Sequence, residues 1–126
     1  MQELPQDSWV KACIAVRRLS DMERYKTALK VADIPFYQIE QNTVDSVIKA
    51  GVRIATMHRV KGLEFDYMYV AGINEGVVPI NNLDSDDPTV IKEHEQKERS
   101  LLYVAITRAK RLCAITGFGK FSRFMV

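Results

Sequence analysis

The chain is 126 residues long, 47% hydrophobic and 27% charged, a balance that fits a soluble globular protein and excludes a disordered or fibrous one. Its net charge of +2 excludes a nucleic-acid binder acting through the overall field, so such affinity has to come from a local basic patch. No apolar run reaches the roughly 20 residues of a membrane span, and the N-terminus MQELPQD has neither the basic nor the apolar region of a signal peptide, so a cytoplasmic location without a membrane partner is expected.

Lys11 to Val16, KACIAV, predicts a first strand. Ser20 and Glu23 have the Ser-x-x-Glu spacing of a capping box, and Met22, Tyr25, Ala28, Leu29 and Ala32 then recur at helical spacing. That helix cannot run through Pro35. Phe36 to Ile39 predicts a second strand, and Thr43 to Ala50 a short helix stopped by Gly51. Val52 to Met57 predicts a third strand and Tyr67 to Ala71 a fourth. Gly72 to Pro88 carries Gly, Pro, Asn and Asp at the density of a surface loop. Thr89 to Ala109 predicts a long helix whose Leu101, Leu102, Ala105 and Ala109 face inward. Leu112 to Thr116 predicts the last strand, after which Gly117-Phe118-Gly119 turns into a terminal helix.

Strands alternating with helices predict an α/β domain with a mainly parallel sheet, a single domain over residues 1–126. Ligands of such sheets gather beyond the carboxyl ends of the strands. Arg17 after the first strand and the MHRVKG segment after the third both project there. Cys13 and Cys113 each fall inside an apolar run and read as buried thiols, and His58 and His94 lie far apart, so no metal ligand is assigned. Gly119-Lys120 is no phosphate loop: Phe121 stands where Ser or Thr is required, and Ala114 where another Gly is. No Gly-Lys-Ser/Thr sequence occurs anywhere in the chain.

Two segments carry a family resemblance. Thr56 to Asp66, TMHRVKGLEFD, resembles motif V of the UvrD/Rep/PcrA superfamily 1 DNA helicases, and Glu98 to Lys110, ERSLLYVAITRAK, resembles their motif VI. The loop GINEGVVP resembles the Glu-Gly-x-x-Pro element that follows motif V, and VRRLSDMERYKTAL, from Val16, is similar to motif IV. The matches run in the family's own order along almost the whole chain. The resemblance implies the second, C-terminal RecA-like motor domain, a three-layer P-loop NTPase-like fold, as a fragment of a longer chain. Two departures stand out: only Pro35 to Gly51 separates motif IV from motif V, where the family inserts a large helical subdomain, and Val16 occupies the position of an adenine-stacking aromatic residue.

The same resemblance implies roles. Arg108 is an arginine finger toward the γ-phosphate of ATP, its planar guanidinium matching charge spread over phosphoryl oxygens; the alternative is a cation at a helix C-terminus. Arg17, or its neighbour Arg18, is a second such arginine. Glu64 contacts the nucleotide, or is a solvated loop carboxylate. Gly62 allows close backbone approach to the nucleotide, or a turn with positive φ, and Lys61 adds charge near the nucleotide phosphates or the DNA backbone. Thr56, His58 and Arg59 face single-stranded DNA through phosphate contacts that carry no sequence information, with a structural histidine as the alternative for His58. Glu98 and Arg99 pair with each other or with motif IV groups.

The function implied is the C-terminal motor of an ATP-dependent DNA helicase or translocase moving 3′ to 5′. Its cofactor is ATP with Mg2+, bound mainly by an N-terminal RecA-like domain of the same chain, and its partner is single-stranded DNA or a duplex/single-strand junction. Without a phosphate loop the isolated chain is expected to hydrolyse no ATP. The competing expectations are a non-catalytic nucleic-acid- or protein-binding module with a helicase-like fold, and part of a RecB-type helicase–nuclease.

Overall fold

In the computed structural model, which describes residues 11–39, 51–80 and 84–125, a five-stranded sheet of order β2-β3-β1-β4-β5 forms the middle layer. Its strands are β1 (Ala12–Val16), β2 (Phe36–Gln38), β3 (Val52–Thr56), β4 (Phe65–Val70) and β5 (Ala109–Ile115). Every pairing is parallel, the α/β arrangement expected of a RecA-like domain. Helices α1 (Met22–Val31) and α2 (Pro88–Thr107) cross over between strands.

Parallel strands buried on both faces need apolar residues at successive positions, and ACIAV in the central β1 is buried throughout. Its side chains alternate between two cores. Ile14 and Val16 join Met22 and Leu29 of α1, together with Val52 and Ile54, on one face. Cys13 and Ala15 join Met68, Val70, Leu102 and Ala105 on the other. The helices thus cover opposite faces of one sheet.

Several local expectations are corrected. The first helix is not entered through a Ser20–Glu23 capping box. A 3-10 turn, Leu19–Asp21, precedes it, and the Asp21 carboxylate accepts from the Arg18 main-chain N–H at 3.0 Å. Asp21 itself occupies the N-cap position of α1 without a side-chain capping bond, and its carboxylate also binds the Arg18 guanidinium at 2.9 Å. Strand β4 begins at Phe65 rather than Tyr67, and β5 at Ala109 rather than Leu112. The two early residues pair with each other across a register shift, so α2 ends at Thr107. Residues 72–80 form no solvated loop, since Ile73 and Val78 are fully buried against the sheet. The expected terminal helix is a short 3-10 turn, Arg123–Met125. Cys113 is half-buried, which pushes its thiol pKa up, while Cys13 is buried. The short helix expected at Thr43 to Ala50 lies outside the described residues.

Sequence pattern gave no warning of Arg53, which is fully buried in β3. A buried charge requires partners, and its guanidinium donates to the Gly51 carbonyl at 2.7 Å and stacks over Tyr37 at 5.2 Å. Among the described residues, no helix is long and apolar enough to cross a membrane.

Candidate nucleotide and nucleic-acid sites

The sheet sorts the candidate residues into two groups. Strand β1 ends beside β3, with Val16 opposite Thr56 and the Met57 N–H donating to the Val16 carbonyl at 2.7 Å. Arg17, Thr56, His58 and Arg59 therefore leave the carboxyl ends of two neighbouring strands together. They line a cleft of about 720 Å³ with Arg18, Leu19 and Gln38. Arg17 and His58 also line a second cleft, of about 680 Å³, with Lys61, His94, Lys97 and Glu98. The expected convergence of the Arg17 and MHRVKG segments is what the fold produces.

Arg17 is held firmly. Its Nε and Nη2 donate to the two carboxylate oxygens of Glu98 at 3.0 and 2.8 Å, a bidentate pair of the kind that fixes guanidinium orientation. Glu98 is 5% exposed, and its Oε1 accepts a further bond from the Ile80 N–H at 2.7 Å. Burial opposes ionisation of Glu98, but the bonds from Arg17 and Ile80 outweigh it and hold the carboxyl below its ordinary value. His94 bonds the Ile80 carbonyl at 2.8 Å through Nε2. His58 is exposed at the rim, and its pKa is lowered, first by partial burial and then by the neighbouring Arg17 charge. Of the two pairings expected for Glu98, that with motif IV is the one formed. Arg99 instead stacks over Phe124 at 4.6 Å.

Arg108 lies at the other end of the sheet. It caps the C-terminus of α2 and immediately precedes β5, and its carbonyl accepts from the N–H of Phe65, the first residue of β4, at 3.0 Å. These are the amino ends of the strands, so a strand length of roughly 20 Å, at about 3.3 Å per residue, separates Arg108 from Arg17. The pocket expected to join the two arginines does not form within this domain. The physical reason is chain direction: a crossover helix returns from the carboxyl edge to the amino edge, carrying its last residue away from the residue that follows β1.

Glu64 sits beside Arg108, preceding β4 as Arg108 precedes β5, and pairs with Lys110 at 3.7 Å, with both side chains more than half exposed. Arg108 has its own unmet requirement: its Nε is buried and has no hydrogen-bond partner. Buried donors are nearly always paired, so this guanidinium suits an anionic acceptor that the described residues do not supply. Gly62 has φ +84 with nothing within 4 Å of where a Cβ would stand. Its glycine is thus favoured by the turn and not by any close contact among the described residues. Lys61 borders the Arg17 cleft rather than the Arg108 end.

Two links that sequence reasoning missed shape the carboxyl edge. Ile80 N–H reaches Glu98 from the Glu-Gly-x-x-Pro loop, and no side-chain pattern signals a main-chain donor. Arg123 binds Glu75 and Glu95, with its main-chain N–H 2.9 Å from Glu75, and so ties the C-terminal turn to the same loop and to α2.

Comparison with known proteins identifies the family of the chain. The model of the UvrD-like helicase C-terminal domain matches residues 19–118. A probable DNA helicase II homolog of Mycoplasma genitalium is 30% identical over 106 residues, covering 79% of this chain and 14% of that protein. The ATP-dependent DNA helicase PcrA of Staphylococcus aureus is 44% identical over 68 residues, 52% of this chain and 9% of PcrA. The ATP-dependent DNA helicase UvrD2 of Mycobacterium tuberculosis is 42% identical over 60 residues, 48% of this chain and 8% of UvrD2. The chain thus spans a small part of these relatives. A solved C-terminal domain of a possible DNA helicase from Lactobacillus plantarum superposes with a TM-score of 0.65 at 22% identity, covering 92% of this chain and 61% of that one, a likeness of fold. This chain belongs to the UvrD-like helicase C-terminal domain family.

Proposed function

We propose that the chain is the second motor domain of an ATP-dependent superfamily 1 DNA helicase or translocase, and that the two ends of its sheet divide the work. The amino end, with Arg108 and Glu64, faces nucleotide held mainly by an N-terminal RecA-like domain. The carboxyl end, with Thr56, His58, Arg59 and Arg17, holds single-stranded DNA. Arg17 moves from the phosphate-finger role implied by its motif to the strand side, because it leaves the sheet beside Thr56 and His58. Lys61, on the cleft it shares with Arg17, supplies phosphate-facing charge there.

The observation that carries this reading is the buried, unpartnered Nε of Arg108. A guanidinium whose Nε finds no acceptor among the described residues is suited to charge presented by another domain. ATP with Mg2+ supplies the free energy of phosphoryl transfer. Arg108 contributes N–H donors in a planar fork, which favours charge developing on phosphoryl oxygens. Glu64 offers a carboxylate acceptor for a sugar hydroxyl beside it. At the other end, Thr56, His58 and Arg59 donate to phosphate oxygens, positioning a strand without reading its bases. Helix α2 carries both Glu98, which holds Arg17, and Arg108, so one rigid element spans the two ends.

The test is to change the arginines separately in the full-length helicase. Arg108→Ala should lower ATP turnover by roughly 10³-fold or more while leaving nucleotide bound. Arg17→Ala should weaken single-strand affinity and reduce the salt dependence by about one phosphate contact. If both variants lose the same property to the same degree, the division between the two ends is wrong. The isolated chain should hydrolyse no ATP, and DNA-stimulated turnover that disappears with Arg108→Ala would overturn that expectation.

A further inference from the structure

Glu98 is the only buried acidic side chain among the described residues. Burying a carboxylate is costly unless it is paired and hydrogen-bonded, and here both oxygens are engaged, by Arg17 Nε, Arg17 Nη2 and the Ile80 N–H. The contacts take one edge of the guanidinium. The Nη1 group and the outer N–H of Nη2 remain for another acceptor, and Arg17 lines both carboxyl-edge clefts. The Arg17 side chain is itself 12% exposed, so it is ordered before any ligand arrives.

We propose that Glu98 is a positioning residue that presents the remaining edge of Arg17 to a phosphodiester oxygen of single-stranded nucleic acid along the carboxyl ends of β1 and β3. The proposal rests on the strand-side reading of that edge given above. Its physical content is preorganisation. An unrestrained arginine loses rotamer freedom when it binds, and a fixed one has already lost it. The Ile80 bond anchors the carboxylate to the 72–80 segment, so Glu98 is fixed from a third direction.

Charge alone predicts the opposite effect, which makes the idea testable. Removing a carboxylate near a phosphate site should strengthen binding of a polyanion, whereas loss of positioning should weaken it. The experiment is fluorescence anisotropy of the chain with a labelled oligothymidylate across a series of salt concentrations. The variants are Glu98→Gln, Arg17→Ala, Arg17→Lys and Glu98→Gln in the Arg17→Ala background, with thermal melts to confirm folding.

Glu98→Gln should weaken binding by roughly 3- to 10-fold, the range expected for immobilising one long side chain, with the salt dependence unchanged because the Arg17 charge persists. Arg17→Lys, which keeps the charge but cannot make the bidentate contact, should weaken binding similarly. In the Arg17→Ala background the Glu98 change should cause no further loss. Equal or tighter binding by Glu98→Gln, or an equal loss with and without Arg17, overturns the positioning role while leaving the strand-side reading intact. Failure of the unaltered chain to bind the oligonucleotide, or no effect of Arg17→Ala, removes both.

Discussion

Arg17 and Arg108 stand at opposite ends of one parallel sheet, Arg17 beyond the last residue of β1 and Arg108 before the first residue of β5. Helix α2 connects the two levels: Glu98 grips Arg17 at 2.8 Å, and Arg108 ends the same helix about 15 Å further along, at 1.5 Å of rise per residue. Helix α2 thus holds a carboxylate clamp partway along its length and ends on a cationic C-cap.

Single-strand binding should strengthen as the solution is acidified from pH 7.5 to below 6.5. His58 has its pKa lowered below 6.5 by burial and by Arg17, so it is neutral at pH 7.5. A neighbouring phosphate favours the protonated ring and draws a proton in on binding. Titration of oligonucleotide affinity against pH measures this effect. His58→Asn should flatten the curve, and an unaltered slope in that variant would assign the proton uptake elsewhere.

The C-terminal turn should loosen in acid. Arg123 bonds lower the Glu75 pKa to about 2, so the stabilisation is complete above the ordinary carboxylate value near 4.5 and is lost as pH falls toward 2. Amide exchange of residues 118–125 should therefore accelerate over that interval before the sheet opens. Glu75→Gln should show the faster exchange already at pH 7. Exchange rates unaffected by either change would mean that the segment is held by its other bonds, those of Ser122 with Ile73 and Val78, of Lys120 with Glu75 and of Phe118 with Asn74.

Two glycines should respond differently to Ala. A Cβ at Gly51 would lie 2.6 Å from the Pro35 carbonyl oxygen, and φ there is +109. Main chain must move, so Gly51→Ala should be strongly destabilising in chemical denaturation. Gly62→Ala meets open space at φ +84 and should lose only roughly 1–2 kcal/mol for the left-handed backbone. A larger loss of turnover than of stability in full-length Gly62→Ala would point to close approach by a ligand.

Lys110→Ala should change stability by less than about 1 kcal/mol, because its pair with Glu64 is solvent-exposed. Met68→Ala, at a fully buried position between the central strand and β5, should lose about 2–5 kcal/mol. Equal effects of the two substitutions in a urea titration would contradict the layer arrangement.

The sequence by itself determined the parallel α/β class, the approximate strands and helices, and the motif resemblance, because period and composition are local properties of the chain. It also fixed that Arg17 follows a strand and that Arg108 ends a helix. What it could not convey is which ends of the elements lie together. The early starts of β4 and β5 arise from pairing between Phe65 and Ala109, residues distant in sequence, and the 3-10 turn Leu19–Asp21 moves the start of α1 past Ser20. The separation of Arg108 from Arg17, the burial of Glu98 and the bond from Ile80 were decided only by tertiary structure. Strand direction and crossover geometry set which side chains can meet, and a motif states residue types without stating that direction.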